Sequence, residues 1–142
     1  MTAFRTLDDV DVRGRRVLVR VDFNVPIKGG KVLDDTRLKA SLPTIEYLRK
    51  QKARVILVTH VGRPEGRRVP ALSVKPIAKH LGGLLHDRID TLSKLSGMAM
   101  YKAIEAMKPG GVAMLENIRF FPGEEENDSE FAKELAGLAD IF

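Results

Sequence analysis

An α/β fold, with a parallel sheet covered by helices on both faces in three layers, is what this sequence predicts. Two observations carry that expectation. Short β-branched runs at Arg16–Val21, Arg54–Val58 and Val112–Leu115 alternate with stretches of helical periodicity. The runs are also apolar at nearly every position, as strands buried on both faces must be.

The first strand, Arg16–Val21, leads into a loop from Asp22 to Pro26, and Lys28-Gly29-Gly30-Lys31 reads as a turn. Asp34-Asp35-Thr36 supplies helix-start residues. Leu38, Leu42, Ile45 and Leu48 then recur at helical spacing to about Lys50. Pro43 falls within that stretch and is expected to divide or kink the helix. Arg54–Val58 is the second strand, and His60–Pro70 is a loop rich in Gly, Pro and Arg. Ser73 is placed to cap a helix running to about Leu85, with Pro76 in its first turn, where proline is tolerated.

Arg88–Leu92 reads as a short strand. Met98–Met107 follows as a helix with Ala99, Ala103, Ile104 and Met107 inward, ended by Pro109-Gly110-Gly111. After the Val112–Leu115 strand, a loop carries Arg119, Pro122 and the run Glu124-Glu125-Glu126, expected to be solvated. Asp128 caps a last helix that turns Phe131, Leu135 and Leu138 inward. Ala139–Phe142 has the character of a strand beginning, so the chain reads as a segment of something longer.

The 142 residues have ordinary globular composition, 44% hydrophobic and 30% charged, and their length suits one domain. There is no cysteine, which excludes a disulfide scaffold and thiolate chemistry and fits a reducing cytoplasm. No window approaches the ~20 apolar residues of a membrane span, and the start, Met1-Thr2-Ala3-Phe4-Arg5, lacks the apolar core of a secretion signal. Charge is uneven. Residues 1–70 hold 16 Lys+Arg and 8 Asp+Glu, while residues 71–142 hold 8 and 11. Eleven of the 16 bases in the first half are arginine, which grips phosphate and carboxylate bidentately, so an anionic partner is expected.

In open parallel sheets, ligands bind beyond the carboxyl ends of the strands. Asp22 and Asn24 follow the first strand, Thr59, His60, Gly62 and Arg63 the second, and Glu116, Asn117 and Arg119 the Val112–Leu115 strand. Arg37 opens the helix behind the first loop. Any one of these is more often an ordinary surface charge or a structural histidine. Their joint placement at one rim is what points to a ligand with two or more negative groups. Asp22 and Asn24 suit a hydroxyl beside it.

Other chemistries lack their signatures. No phosphate-binding Gly-rich loop precedes Lys-Ser or Lys-Thr, no Gly-x-Gly-x-x-Gly follows the first strand, and no nucleophile elbow is present. His80 and His86 have no second close ligand, so no metal site is expected. With Phe 6, Tyr 2 and Trp 0, and no aromatic interleaved with the bases, nucleic acid is not the expected partner.

Four blocks resemble the phosphoglycerate kinase family: Arg16–Pro26, Asp34-Asp35-Thr36-Arg37, Thr59-His60-Val61-Gly62-Arg63-Pro64, and Leu115–Glu125. The resemblance spans essentially the whole chain and is weakest from about Leu85 to Lys108. It implies a Rossmann-like lobe of a two-lobe cytoplasmic, glycolytic enzyme that moves a phosphoryl group between 1,3-bisphosphoglycerate and Mg-ADP. Residues 1–142 would be part of the N-terminal, phosphoglycerate-binding lobe. The Mg-nucleotide would be bound by a second lobe not contained in this chain, which alone would not catalyse transfer.

By the same resemblance, Asp22 and Asn24 would meet the substrate near its hydroxyl and carboxyl end, and Phe23, Val61 and Gly62 would be among the substrate-binding residues. Arg37 would stabilise the transferred phosphoryl. His60, Arg63 and Arg119 would complete a basic patch on the substrate's phosphate. Members of the family are expected to be monomeric, whereas this chain could self-associate through an exposed sheet edge. A non-catalytic module binding phosphoglycerate or a similar polyanion is the alternative, with a basic nucleic-acid-binding domain ranked behind it.

Overall fold

The computed structural model describes residues 4–94 and 97–142; Met1–Ala3, part of the start inspected for a signal segment, lie outside them. The elements run β1 (Arg16–Arg20), β2 (Ile27–Lys28), β3 (Lys31–Val32), α1 (Thr36–Lys50), β4 (Arg54–Val58), α2 (Lys75–Leu85), β5 (Asp90–Leu92), α3 (Met98–Glu105), β6 (Val112–Leu115) and α4 (Ser129–Ala136). Four strands form one parallel sheet in the order β1-β4-β6-β5.

Alternate side chains of these strands enter two separate cores. Val17, Val55, Leu57, Val112 and Met114 face Leu38, Ile45 and Leu48 of α1 and Ile77, Leu81 and Leu85 of α2. Leu18, Ile56, Val58 and Leu115 face Met100 and Ile104 of α3, with Leu138 just past α4. This is the three-layer architecture expected: strands covered on both sides cannot alternate apolar with polar, and these do not. No helix among the described residues is long and apolar enough to cross a membrane.

Pro43 does not divide α1, which runs unbroken through it. Proline inside a helix costs about 3 kcal/mol. Here Leu38 lies on one side of it and Ile45 and Leu48 on the other, all three fully buried. Burying a Leu or Ile side chain is worth about 1.5–3 kcal/mol each, so packing outweighs the proline. The Lys28–Lys31 turn closes a small antiparallel hairpin, β2 with β3, that was not anticipated. Gly29 and Gly30 supply its positive φ angles.

Two further expectations shift. The inward face of α3 is Met100 and Ile104; Ala99 and Ala103 are exposed. The residue flanking α2 is Val74, not Ser73. Ser73 still contributes, since its Oγ accepts from the Lys75 amide at 3.2 Å. A side chain far along the chain also caps this helix: Glu116 accepts the Val74 amide at 2.9 Å and the Ser73 hydroxyl at 2.8 Å. Asp128 caps α4 as expected, accepting from the Glu130 amide at 3.2 Å. The strand expected to begin near the end of the chain is present as a parallel bridge between Ile141 and Val17, with the Leu18 amide donating to the Ile141 carbonyl at 2.8 Å.

Candidate functional site

The carboxyl ends of β1, β4 and β6 sit side by side, because those three strands are consecutive in the sheet. The loops leaving them are joined by hydrogen bonds. Thr59, fully buried, accepts the Phe23 amide at 3.0 Å through its hydroxyl, tying the β1 loop to the β4 loop. Asn24 Oδ1 accepts the Gly62 amide at 3.1 Å, a second tie between the same loops. Gly62 has φ +62°, and a Cβ there would lie 2.8 Å from Leu72 Cδ2, so glycine meets two demands at once.

Asn117 joins the β6 loop to the β4 loop with its whole side chain. Its Oδ1 accepts from the Val61 amide at 3.2 Å and the Arg119 amide at 3.1 Å. Its Nδ2 donates to the Val61 carbonyl at 2.7 Å and the Leu72 carbonyl at 2.9 Å. A fully buried amide with all four bonds satisfied is a rigid joint. Ile118 adds a backbone bond, donating to the Thr59 carbonyl at 3.0 Å.

Cationic side chains stand on this frame. Arg37, in the first turn of α1, donates through Nη1 to Asp22 Oδ1 at 3.0 Å and to the Asn24 carbonyl at 2.9 Å. The arginine of one segment is thereby fixed against the acid and backbone of another. Arg119 donates through Nε to Glu124 Oε2 at 3.2 Å. Arg63 stands exposed, without an ion-pair partner among the described residues. His60 is half-buried. Burial pushes its pKa below the ordinary imidazole value, Arg119 and Arg20 push it further down, and Glu124 and Asp22 oppose them. Arg119 and Arg20 thus stand close enough to act on the ring, with Glu124 and Asp22 partly offsetting them.

Asp22, Asn24, Arg37, His60, Gly62, Arg63 and Arg119 all stand on this one network of loops. Phe23 and Val61 stand there too, but their side chains are buried in the core below, and their amide and carbonyl groups are all bonded within the loops. Two residues escaped the sequence reading. Arg20, the last residue of β1, donates through Nη2 to Glu124 Oε1 at 3.1 Å. A charged residue ending an apolar strand lies at the carboxyl rim by position, and that was the available signal. Glu124 is not a solvated loop residue as expected: its side chain is 12% exposed, held between two guanidiniums. No local pattern distinguishes it from Glu125 and Glu126.

Between the end of β1 and α1 an open cavity of about 390 Å³ is lined in part by Arg20, Asp22 and Arg37. Several guanidiniums and an imidazole on a hydrogen-bonded frame can hold a small polyanion and stabilise developing negative charge, without any nucleophile of their own. Among the described residues no three His, Asp or Glu side chains converge as metal ligands would.

The sequence model of the phosphoglycerate kinase family matches residues 7–142. The chain superposes on the structure of phosphoglycerate kinase from Coxiella burnetii with a TM-score of 0.87 and 38% identity, over 99% of this chain and 34% of that one. It superposes on phosphoglycerate kinase from Pyrococcus horikoshii OT3 with a TM-score of 0.80 and 34% identity, over 95% of this chain and 35% of that one. The chain thus spans about a third of the length of these relatives.

Proposed function

This chain belongs to the phosphoglycerate kinase family, and we propose that its rim is the phosphoglycerate-binding half of a phosphoryl-transfer site, within the N-terminal lobe of a two-lobe enzyme. The observation that carries this reading is the convergence of Arg20, Arg37, His60, Arg63 and Arg119 from four segments onto one hydrogen-bonded frame. Phosphoryl transfer asks a protein for positioning and for stabilisation of charge, and a frame of this kind offers both.

In this reading Asp22 and Asn24 meet the hydroxyl and carboxyl end of the substrate. Arg37, the catalytic residue, stabilises the phosphoryl group being transferred, its approach fixed by Asp22 and the Asn24 carbonyl. His60, Arg63 and Arg119 hold the phosphate that stays, while Phe23, Val61 and Gly62, whose amides are bonded to Thr59, Asn117 and Asn24, shape the loops beneath it. Magnesium and nucleotide would be carried by a partner lobe outside these residues. In this reading, residues 1–142 supply substrate binding without turnover of their own.

Calorimetric titration with 3-phosphoglycerate tests the reading. Saturable 1:1 binding is expected, with glycerate, which lacks the phosphate, much weaker, and with Arg63→Ala weakened while the fold is kept. A folded chain with no preference for 3-phosphoglycerate over glycerate would overturn it. A coupled assay with ATP is expected to show no turnover. Turnover surviving removal of any contaminating longer enzyme would refute the claim of an inert half-site.

A further inference from the structure

We propose that Glu124 is the positioning residue of the anion site: one carboxylate grips Arg20 and Arg119 together and presents their free N–H groups to the ligand. Its Oε1 accepts from Arg20 Nη2 at 3.1 Å and its Oε2 from Arg119 Nε at 3.2 Å. The two arginines come from β1 and from the loop after β6, which are not neighbours in the sheet. Glu124 therefore bridges across the end of β4, over the loop that carries His60. Its side chain is 12% exposed, whereas that of Glu125 is 49% exposed and lies 3.7 Å from Arg119 Nε.

The backbone supports the same arrangement. The Glu124 amide donates to the Phe121 carbonyl at 3.2 Å within a short 3-10 turn that begins at Pro122. The Arg119 carbonyl accepts the Gly66 amide at 3.1 Å, and its amide is held by Asn117. Arg119 is thus fixed at its backbone and at Nε, and its two terminal nitrogens make no hydrogen bond among the described residues. A guanidinium held along one edge keeps its outer edge aligned for a bidentate contact with an oxyanion.

Glu124 also has an electrostatic consequence. A negative charge placed among Arg20, His60 and Arg119 lowers the general attraction of the cluster for anions, and it acts on His60 in the direction opposite to the arginines. Glu124 accordingly exchanges charge for geometry. It makes the site prefer an elongated phosphorylated acid over any small anion. This inference rests on the reading of the rim as a phosphoglycerate site.

The test compares 3-phosphoglycerate with inorganic phosphate on three proteins: the wild-type chain, Glu124→Gln and Glu124→Asp. In the wild type, 3-phosphoglycerate binds more tightly. In Glu124→Gln that preference falls about tenfold, the loss expected when a charge-assisted hydrogen bond no longer holds its guanidinium, while phosphate binds as well or better. The His60 ring titration also moves further down. In Glu124→Asp the charge stays and His60 titrates near its wild-type value. The shorter stem cannot span both arginines, so the preference still falls.

An unchanged preference in both variants, with wild-type discrimination intact, overturns the positioning role and leaves the function of the rim standing. Absence of any preference in the wild type overturns the function of the rim and this inference with it. A preference lost in Glu124→Gln but kept in Glu124→Asp shows that the charge alone matters, which also refutes positioning.

Discussion

Replacing Asn117 with alanine removes four hydrogen bonds from a fully buried joint between the β4 and β6 loops. Two amide N–H groups, of Val61 and Arg119, lose their acceptor, and the carbonyls of Val61 and Leu72 lose a donor. A buried polar group left unpaired costs about 1–3 kcal/mol. The vacated space admits water from the rim side, which restores part of that loss. Counting the two amides at about 1–2 kcal/mol each and crediting water with the carbonyls gives a net loss of about 3 kcal/mol, a large share of the ~5–15 kcal/mol typical of a domain. Asn117→Asp is expected to be no better, since it replaces the Nδ2 donor with an oxygen facing two carbonyls. Urea unfolding followed by circular dichroism measures the change as a lower midpoint at unchanged slope. A loss below about 1 kcal/mol for Asn117→Ala would refute the view that this side chain holds the rim together.

Three other perturbations have definite outcomes. Gly62→Ala forces a side chain into positive φ and against Leu72; a loss of about 1–2 kcal/mol is expected in the same unfolding assay, and an unchanged midpoint would contradict it. His60 holds its proton less tightly folded than unfolded. Its contribution to stability is therefore whole above pH ~6.5 and declines as pH falls through that value toward the folded one. Proton NMR of the His60 ring should give a midpoint below 6.5, rising when 3-phosphoglycerate adds negative charge beside it, and a midpoint at or above 6.5 in the free chain would refute the electrostatic description. Asp140, bonded to the Arg16 side chain and amide, has its pKa lowered to about 2. The stability it gives is present above pH ~4 and lost as pH falls through about 2. With a third of its side chain exposed, that contribution is no more than about 1 kcal/mol after screening, and Asp140→Asn should lose it at pH 7 while unfolding with a shallower acid dependence.

The parallel sheet was legible because its strands are short, β-branched and apolar throughout, a pattern that only burial on both faces explains. The rim was legible for the same reason: once the strands are placed, Asp22, His60 and Arg119 must leave from their carboxyl ends. What stayed hidden depends on tertiary contact. Pro43 reads as a break, and only the burial of Leu38, Ile45 and Leu48 keeps α1 whole. The Glu116 carboxylate caps α2 from another element, which no local capping pattern encodes. Glu124 looks identical in sequence to the two glutamates after it. Its role exists only because Arg20 is brought up from the far side of β4.

Amide NMR of the labelled chain, titrated with 3-phosphoglycerate and separately with Mg-ADP, tests the central claim most directly. Shifts with 3-phosphoglycerate at Asn24, His60, Gly62, Arg63 and Arg119, with none there from Mg-ADP, are the predicted result. Dispersed spectra in which 3-phosphoglycerate moves no rim amide, or in which both ligands move the same set, would contradict it.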